Sequence, residues 1–176
     1  KRTFQFDVTA IDLKFEFEGS GMAAAGSPLQ QPLRGGDGGN AGDLTPLPAM
    51  SFIMPLTGGF EGLTVGAMVS VPFGLATKYD PDWMGRYHAV ESDVRVIDLT
   101  LAASVDLHER VSAGFGVMVQ HSDVTLSNAI DFGSGICANP QTQPLCFMPN
   151  PVTGPFGPQK NDGTVSVHGT DNSLGW

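Results

Sequence analysis

The sequence predicts an all-β protein, an antiparallel transmembrane β-barrel of which about six strands are present. Three observations support this prediction: segments that alternate strictly between apolar and small or polar residues, short turns at one end of these segments with long loops at the other, and many glycines and prolines. A period of two is produced only by strands. An apolar outer face, a polar inner face and this asymmetry of connections are typical of an outer-membrane barrel.

The composition agrees with a membrane location based on strands. The chain has 176 residues, of which 41% are hydrophobic and only 15% charged. No apolar run approaches the roughly 20 residues that a membrane-spanning helix needs, so strands would have to cross the membrane. The formal net charge is −9 and the nine basic residues are scattered, which excludes a nucleic-acid-binding surface of clustered Lys and Arg.

The first predicted strand covers residues 2–18 and changes phase within its length. One parity carries Phe4, Phe6, Val8 and Ala10, whereas the other carries Ile11, Leu13, Phe15 and Phe17. A bulge after Ala10 would keep all of these side chains on one face. Without a bulge, Phe15 and Phe17 would line the interior as part of an apolar, substrate-binding wall. The pattern leaves both alternatives open.

Residues 19–45 are predicted to form a long external loop, because they are rich in Gly, Ala and Pro and have almost no periodicity. The stretch GGDGGNAGD within it matches a calcium-binding repeat only loosely and only once. A single loose match favours a solvated loop, so we predict no metal site and no cofactor.

The second and third strands are expected at residues 48–56 and 63–71, joined by a tight turn at residues 57–62. The third strand is interrupted where Pro72 removes a hydrogen-bond donor and Gly74 relaxes the backbone. We therefore expect the wall to kink or open laterally at five consecutive residues: Ser70, Val71, Pro72, Phe73 and Gly74.

Strands four, five and six are expected at residues 91–105, 111–127 and 164–176, with further long loops at residues 72–90 and 128–163. In the fifth strand, apolar and small or polar residues alternate from Val111 to Val119. Long loops in outer-membrane barrels are extracellular and short turns are periplasmic. Six strands cannot close a large barrel, and an open edge in lipid leaves backbone groups unpaired. We therefore expect a partial barrel domain over residues 1–176, with more wall supplied from elsewhere.

The loop at residues 128–163 contains both cysteines and a set of apolar residues. No His or further Cys is spaced near Cys137 and Cys146 to complete a zinc set, so we predict a disulfide formed in an oxidising compartment; two free thiols are the alternative. Exposed apolar loop residues indicate a binding surface, although they would also suit packing against neighbouring loops. The candidates for substrate capture are Ile136, Leu145, Phe147, Met148 and Phe156.

The runs VSVPFGLATKYDPDWMGRY and SDVRVIDLTLAASVDLHERVSAGFGV resemble the FadL-type family of outer-membrane transporters (OmpP1/FadL/TodX) over about residues 46–133. The resemblance implies a 14-stranded monomeric barrel whose lumen is plugged by an N-terminal hatch. It also implies capture of hydrophobic substrates by external loops and sideways release at a kink in the third strand, which maps to residues 70–74. The hatch and the C-terminal strands would lie outside this chain.

We therefore expect transport of a hydrophobic small molecule, a long-chain fatty acid or an aromatic hydrocarbon, across the outer membrane of a Gram-negative cell. Outer-membrane lipid and lipopolysaccharide would surround the barrel. The alternatives are a surface interaction protein, such as an adhesin or phage receptor, and a generic porin. An enzyme is not expected, because none of the four histidines lies near a nucleophile signature such as G-x-S-x-G.

Overall fold

A computed structural model describes residues 1–146 and 156–176 and has the antiparallel all-β architecture that the sequence predicts. Six long strands form one sheet in which each strand pairs with its neighbour in the chain. They are β1 (Thr3–Asp12), β4 (Leu44–Pro55), β5 (Leu63–Lys78), β6 (Glu91–His108), β7 (Val111–Asp131) and β8 (Asp162–Gly175).

The connections between these strands are very unequal in length. Short turns join β4 to β5 and β6 to β7 at what we call the turn end of the sheet, whereas three long loops lie at the opposite loop end. The loops contain the two-residue strands β2 (Met22–Ala23) and β3 (Gln31–Pro32) and the helices α1 (Phe132–Ala138) and α2 (Gln143–Cys146). No helix in the described part of the chain is long and apolar enough to cross a membrane.

The register of the strands sorts the side chains onto two faces. One row of directly opposed residues is Phe52, Ala67, Leu101 and Val117, and we call the face that carries it the outer face. The neighbouring row, Ser51, Met68, Thr100 and Met118, lies on the inner face. The large apolar side chains of the outer face are exposed, Phe115 by 66%. Such a surface is unfavourable in water and is what hydrocarbon surroundings require.

The outer face changes character towards the loop end. In β6 the outer-face positions change from Ile97 to Arg95 and Asp93, and in β7 they change from Val119 to His121 and Asp123. These strands have 18 and 21 residues, whereas a tilted strand needs only about 9–11 residues to cross the hydrocarbon. The upper parts of both strands therefore extend beyond the apolar band.

The end of the first strand differs from both alternatives that the sequence left open. β1 ends at Asp12 rather than Glu18, and its register with β4 is continuous, without a bulge after Ala10. The chain then leaves the sheet, and Gly42 packs so closely on Leu13 that a Cβ at position 42 would lie 2.0 Å from the Leu13 carbonyl oxygen. The phase change in the sequence thus marks the approaching end of a strand.

Other strand boundaries also differ from the prediction, and the prolines explain the largest differences. β4 begins at Leu44 rather than residue 48, and β5 continues through Pro72 to Lys78 instead of ending at residue 71. Proline is tolerated in a strand wherever its missing N–H falls on an unpaired edge or in a bulge. β6 and β7 also run on, to His108 and Asp131, and β8 begins at Asp162.

A charge placed on the two faces should have very different costs. Leu101 lies on the outer face and its neighbour Thr100 on the inner face. We expect Leu101→Arg to lower the free energy of unfolding by about 2–4 kcal/mol, the cost of a basic side chain at the centre of the lipid face. Denaturant unfolding of the full-length protein in lipid vesicles measures this cost, with Thr100→Arg as the matched control. Equal losses from both variants would contradict the assignment of the faces.

Candidate functional site

The upper halves of β4 and β5 are separated by an opening in the sheet. The two strands pair only from Ala49 opposite Ser70 down to the turn end. Above this level β4 remains paired with β1 and β5 with β6, but within the described strands no ladder pair joins residues 44–48 to residues 71–77. We call this opening the window.

The window begins at a bulge in β5. Val71 and Pro72 together stand opposite the single residue Ile97, so that the register shifts between Ser70 and Phe73. A bulge of two residues against one bends the strand and increases its twist. Pro72 also has no N–H to donate. The bulge falls among the five residues for which the sequence predicts a kink or opening.

Two prolines on the other side of the window explain why β4 accepts an unpaired edge. Pro46 and Pro48 occupy alternate positions of the strand, and N–H groups of alternate residues point to the same side. The two missing N–H groups therefore weaken only one edge of β4. Its other edge pairs with β1 along the whole upper half of β4. This pair of prolines is the sequence signal for the β4 side of the window, and the sequence analysis missed it.

The window is bounded at the top as well as at the bottom. The N–H of Lys78, the last residue of β5, donates to the Ala41 carbonyl oxygen at 2.9 Å, and the Ala41 N–H donates to the Phe15 carbonyl oxygen at 2.9 Å. Phe15 is thus held at the upper rim by its backbone and does not line the inner face of the sheet. The window is therefore enclosed by β4 and β5 at its sides, by their ladder below and by these backbone hydrogen bonds above.

A cavity of about 370 Å³ occupies the window, a volume within the range of small-molecule sites. At Gly74 a Cβ would lie 3.0 Å from Leu47 Cδ2 and 3.6 Å from Thr45 Cγ2, so side chains approach each other here where the ladder is missing. The lining is mostly apolar, with charges at the rim: Asp43, Leu44, Thr45, Pro46, Leu47, Val71, Gly74, Leu75, Ala76, Asp93, Arg95 and Ile97.

The bulge also determines which side chains of β5 face inwards. Below it Val69 pairs with Leu99 on the outer face, whereas above it Phe73 and Leu75 pair with Val96 and Val94 on the inner face. Phe73 and Leu75 thereby join six other apolar residues on the upper inner face, and we call this group the apolar belt. The belt consists of Phe73, Leu75, Val94, Val96, Val124, Leu126, Val165 and Val167.

Half of the apolar belt is exposed in the described chain and the other half is half-buried. Such a surface suits a hydrophobic molecule better than a column of water. One of the two alternatives for the first strand placed Phe15 and Phe17 in an apolar interior, whereas the structure forms an apolar inner face from other residues. The sequence signal for the apolar belt lies in β6. Its alternate positions 94, 96 and 98, which share one face, change from valine to aspartate between Val96 and Asp98.

An aromatic cluster joins the first two loops. Trp83 is only 6% exposed; it stacks on Tyr79 with ring centroids 3.9 Å apart and meets Phe17 edge-on at 5.5 Å. Its indole N–H donates to the Ala89 carbonyl oxygen at 2.8 Å. Gly38 has a positive φ of 87°, and a Cβ there would lie 2.7 Å from the Tyr79 ring. Phe17 therefore packs in the loops, not on the inner face.

A buried arginine joins these loops to the start of β8. Arg86 is 7% exposed, and its guanidinium donates to the Asp162 carboxylate at 2.8 Å, the Tyr87 hydroxyl at 2.7 Å and the Arg34 carbonyl oxygen at 2.6 Å. Burial lowers the pKa of Arg86, but the hydrogen bond to Asp162 and the nearby charges outweigh this effect, so the pKa is raised and the side chain stays charged. Burial, and then the hydrogen bond to Asp162, raise the pKa of Tyr87 well above its ordinary value.

The third loop contains the predicted disulfide between Cys137 and Cys146. Among the predicted capture residues, Leu145 is 45% exposed, Ile136 and Phe156 are half-buried, and Phe147 and Met148 lie outside the described residues. None of the three described candidates lines the groove of about 380 Å³ between residues 24–29 and α1, whose lining includes Ala24, Pro28, Leu29, Cys137 and Ala138.

Comparisons with known proteins agree with this architecture. The sequence model of a family described as "Outer membrane protein transport protein (OMPP1/FadL/TodX)" matches residues 1–176. Sixteen chains of solved structures match, among them a Pseudomonas aeruginosa FadL homologue with a TM-score of 0.76 and 24% sequence identity. That match covers 99% of this chain but only 38% of the homologue. No curated protein sequence matches the chain.

Removal of the buried arginine should loosen the loops. Arg86→Met leaves the Asp162 carboxylate and the Tyr87 hydroxyl without their shared donor, and breaking a buried ion pair costs about 3–5 kcal/mol, less here because Asp162 is partly exposed. We expect at least tenfold faster cleavage of the loops by an added protease, followed by mass spectrometry on the full-length protein. Arg95→Met, which removes an exposed ion pair with Asp93, is the control; equal cleavage of the two variants would refute the role of Arg86.

Proposed function

Because the chain belongs to the OMPP1/FadL/TodX family of outer membrane transport proteins, we propose that it carries hydrophobic small molecules across the outer membrane and releases them sideways through the window. The cargo would be a long-chain fatty acid or an aromatic hydrocarbon. The observation that carries the proposal is the framed window beside the apolar belt.

The physical advantage of the window is that cargo does not have to cross water. A molecule on the apolar belt is separated from the outer face only by the window, whose lining includes Ile97, the last apolar outer-face residue of β6 before the charged positions. Exposing about 400 Å² of apolar cargo surface to water would cost about 10 kcal/mol at roughly 25 cal/mol per Å². Sideways release avoids this cost, and an apolar inner belt is also a poor lining for a generic porin.

We propose that the rest of the barrel comes from beyond this sequence, since the chain matches 38% of the homologous structure. The complete molecule would be a 14-stranded monomeric barrel with a hatch in its lumen. Its long loops would face outwards from a Gram-negative cell, and outer-membrane lipid and lipopolysaccharide would surround the wall. The charged outer-face positions at the loop end, such as Arg95 and Asp123, suit a polar head-group region.

Capture would take place on the third loop. Leu145 supports this role, because it is a large apolar side chain that remains exposed beside a disulfide. Ile136 and Phe156 are less accessible, and Phe147 and Met148 stay candidates on the basis of sequence alone. Phe15 and Phe17 are better explained as residues that hold the upper rim and the aromatic cluster.

Closing the window should stop transport. Oxidation of a Leu47→Cys/Gly74→Cys variant would join β4 to β5 across the window, where the Leu47 side chain already meets position 74. We expect at least a tenfold loss of radiolabelled cargo uptake by cells that express the full-length protein, with recovery on reduction. The control is Ile53→Cys/Gly66→Cys, which joins directly opposed residues below the window, together with the unmodified protein under both redox conditions. Undiminished uptake through the cross-linked window would contradict lateral release.

Capture by the third loop can be tested by a single charge. We expect Leu145→Asp to raise the cargo concentration for half-maximal uptake severalfold while leaving the maximal rate unchanged, because a carboxylate disfavours contact with an apolar molecule. Gln141→Asp, at another exposed position of the loop, is the control. Identical uptake curves for Leu145→Asp and the unmodified protein would exclude Leu145 from capture. A single substitution tests capture more specifically than a deletion of residues 128–163. The deletion would also remove the hydrogen bonds that Asp131 and Gln159 form with the loops.

A further inference from the structure

We propose that Asp98 selects cargo by its head group, favouring a neutral hydrophobic molecule with a hydrogen-bond-donating end, such as a long-chain alcohol or a phenol, over a carboxylate of equal chain length. The inference rests on the proposed function and narrows its cargo: on the apolar belt, a fatty-acid carboxylate would bind less tightly than a neutral hydrophobic molecule.

Asp98 lies directly below the apolar belt, one strand away from the window. It is on the inner face of β6, opposite Ser70 on one side and Gln120 on the other. The pair with Ser70 is the last one below the bulge, so Asp98 lies at the level of the lower edge of the window. The next inner-face residue of β6 is Val96 in the belt. A molecule that occupies the belt with its long axis along the strands would direct one end towards this carboxylate.

The carboxylate is buried but only partly used by its neighbours. Asp98 is 7% exposed, and the side-chain amide of Gln120 donates to its Oδ1 at 2.9 Å. No Lys, Arg or His among the described residues forms an ion pair with it. A carboxylate offers about four acceptor positions on two oxygens, so Asp98 has the capacity to accept a further hydrogen bond beside the one from Gln120.

The surrounding inner face adds no opposite charge. On the described strands, the Asp, Glu, Lys and Arg residues at inner-face positions are four aspartates, Asp7, Asp98, Asp106 and Asp171. Three basic side chains of the upper strands and loops form ion pairs with other carboxylates. Arg95 pairs with Asp93 and Lys78 with Glu91 on the outer face, and Arg86 pairs with Asp162 in the loops.

These features favour one head group over another. Two carboxylates repel each other, and the repulsion is several times stronger in a partly buried site than in water. A hydroxyl group instead donates to the charged acceptor, and such a hydrogen bond is stronger than one between neutral groups. A site with a buried polar group discriminates strongly against a ligand that cannot pair with it. We therefore expect a preference of 10- to 100-fold for the alcohol.

The test compares two ligands that differ only in the head group. Binding of radiolabelled hexadecan-1-ol and palmitate to the purified full-length protein is measured by equilibrium dialysis at pH 8, for the unmodified protein, Asp98→Asn and Asp106→Asn. We expect the unmodified protein to prefer the alcohol at least tenfold. Asp98→Asn, which keeps an acceptor oxygen for Gln120, should reduce this preference at least fivefold, mainly through tighter binding of palmitate. Asp106→Asn, near the turn at the other end of β6, should leave the preference unchanged.

Three results would overturn the inference: tighter binding of palmitate than of hexadecan-1-ol by the unmodified protein, binding of neither ligand, or a preference that Asp98→Asn leaves within twofold. Because the readout is a ratio between two ligands on one sample, a loss of folded protein does not alter it. Uptake of both ligands by cells is measured in parallel. The expected preference without uptake supports the inference and refutes transport, whereas uptake with no preference supports transport and refutes the inference.

Discussion

The pairing of backbone hydrogen-bond groups is the constraint on which the rest of this structure depends. In lipid, an unpaired N–H or C=O has no water to bond, so a wall of strands has to be continuous wherever hydrocarbon surrounds it. The upper halves of β4 and β5 are not paired with each other, and several features of the sequence reduce the cost there. Pro46, Pro48 and Pro72 have no donors to leave unpaired, and the Leu47 side chain fills part of the gap.

The loops complete the frame that the strands leave open. Ala41 joins the top of β5 to the segment after β1, and that segment is held through Phe17 to the buried ring of Trp83. Arg86 extends the same assembly to β8 through Asp162. The upper rim of the window is therefore connected to an ordered group of loops, and a change in these loops has a structural path to the opening proposed as the exit for cargo.

Sequence reasoning was most successful where the information is local. Alternation in β7, short turns and the disulfide between Cys137 and Cys146 are visible within a few residues, and so is the break at Pro72. The continuation of β5 to Lys78 could not be predicted from local sequence. A proline can end a strand or leave only one of its edges unpaired, and the neighbouring strand decides between these two outcomes. Phe15 and Phe17 show the same limit of local information: their periodicity continues that of a strand, but their contacts are with Ala41 and Trp83 in loops. The inner position of Phe73 and Leu75 depends on a register that only the paired strand defines.

The two-against-one count at the bulge has a consequence for how this protein can evolve. Removing either Val71 or Pro72 would leave one residue opposite Ile97 and restore an uninterrupted register, while Phe73 would keep its pair with Val96 and Leu75 its pair with Val94. Phe73 and Leu75 would therefore stay on the inner face and Gly74 and Lys78 on the outer face, but the bend that the bulge gives to β5 would be lost. Changes of chain length are ordinarily tolerated best in surface loops and worst in strands. Here a single-codon deletion would remove the bulge at the lower end of the window and leave the apolar belt in place, so descendants of this sequence can change the opening without changing the inner lining.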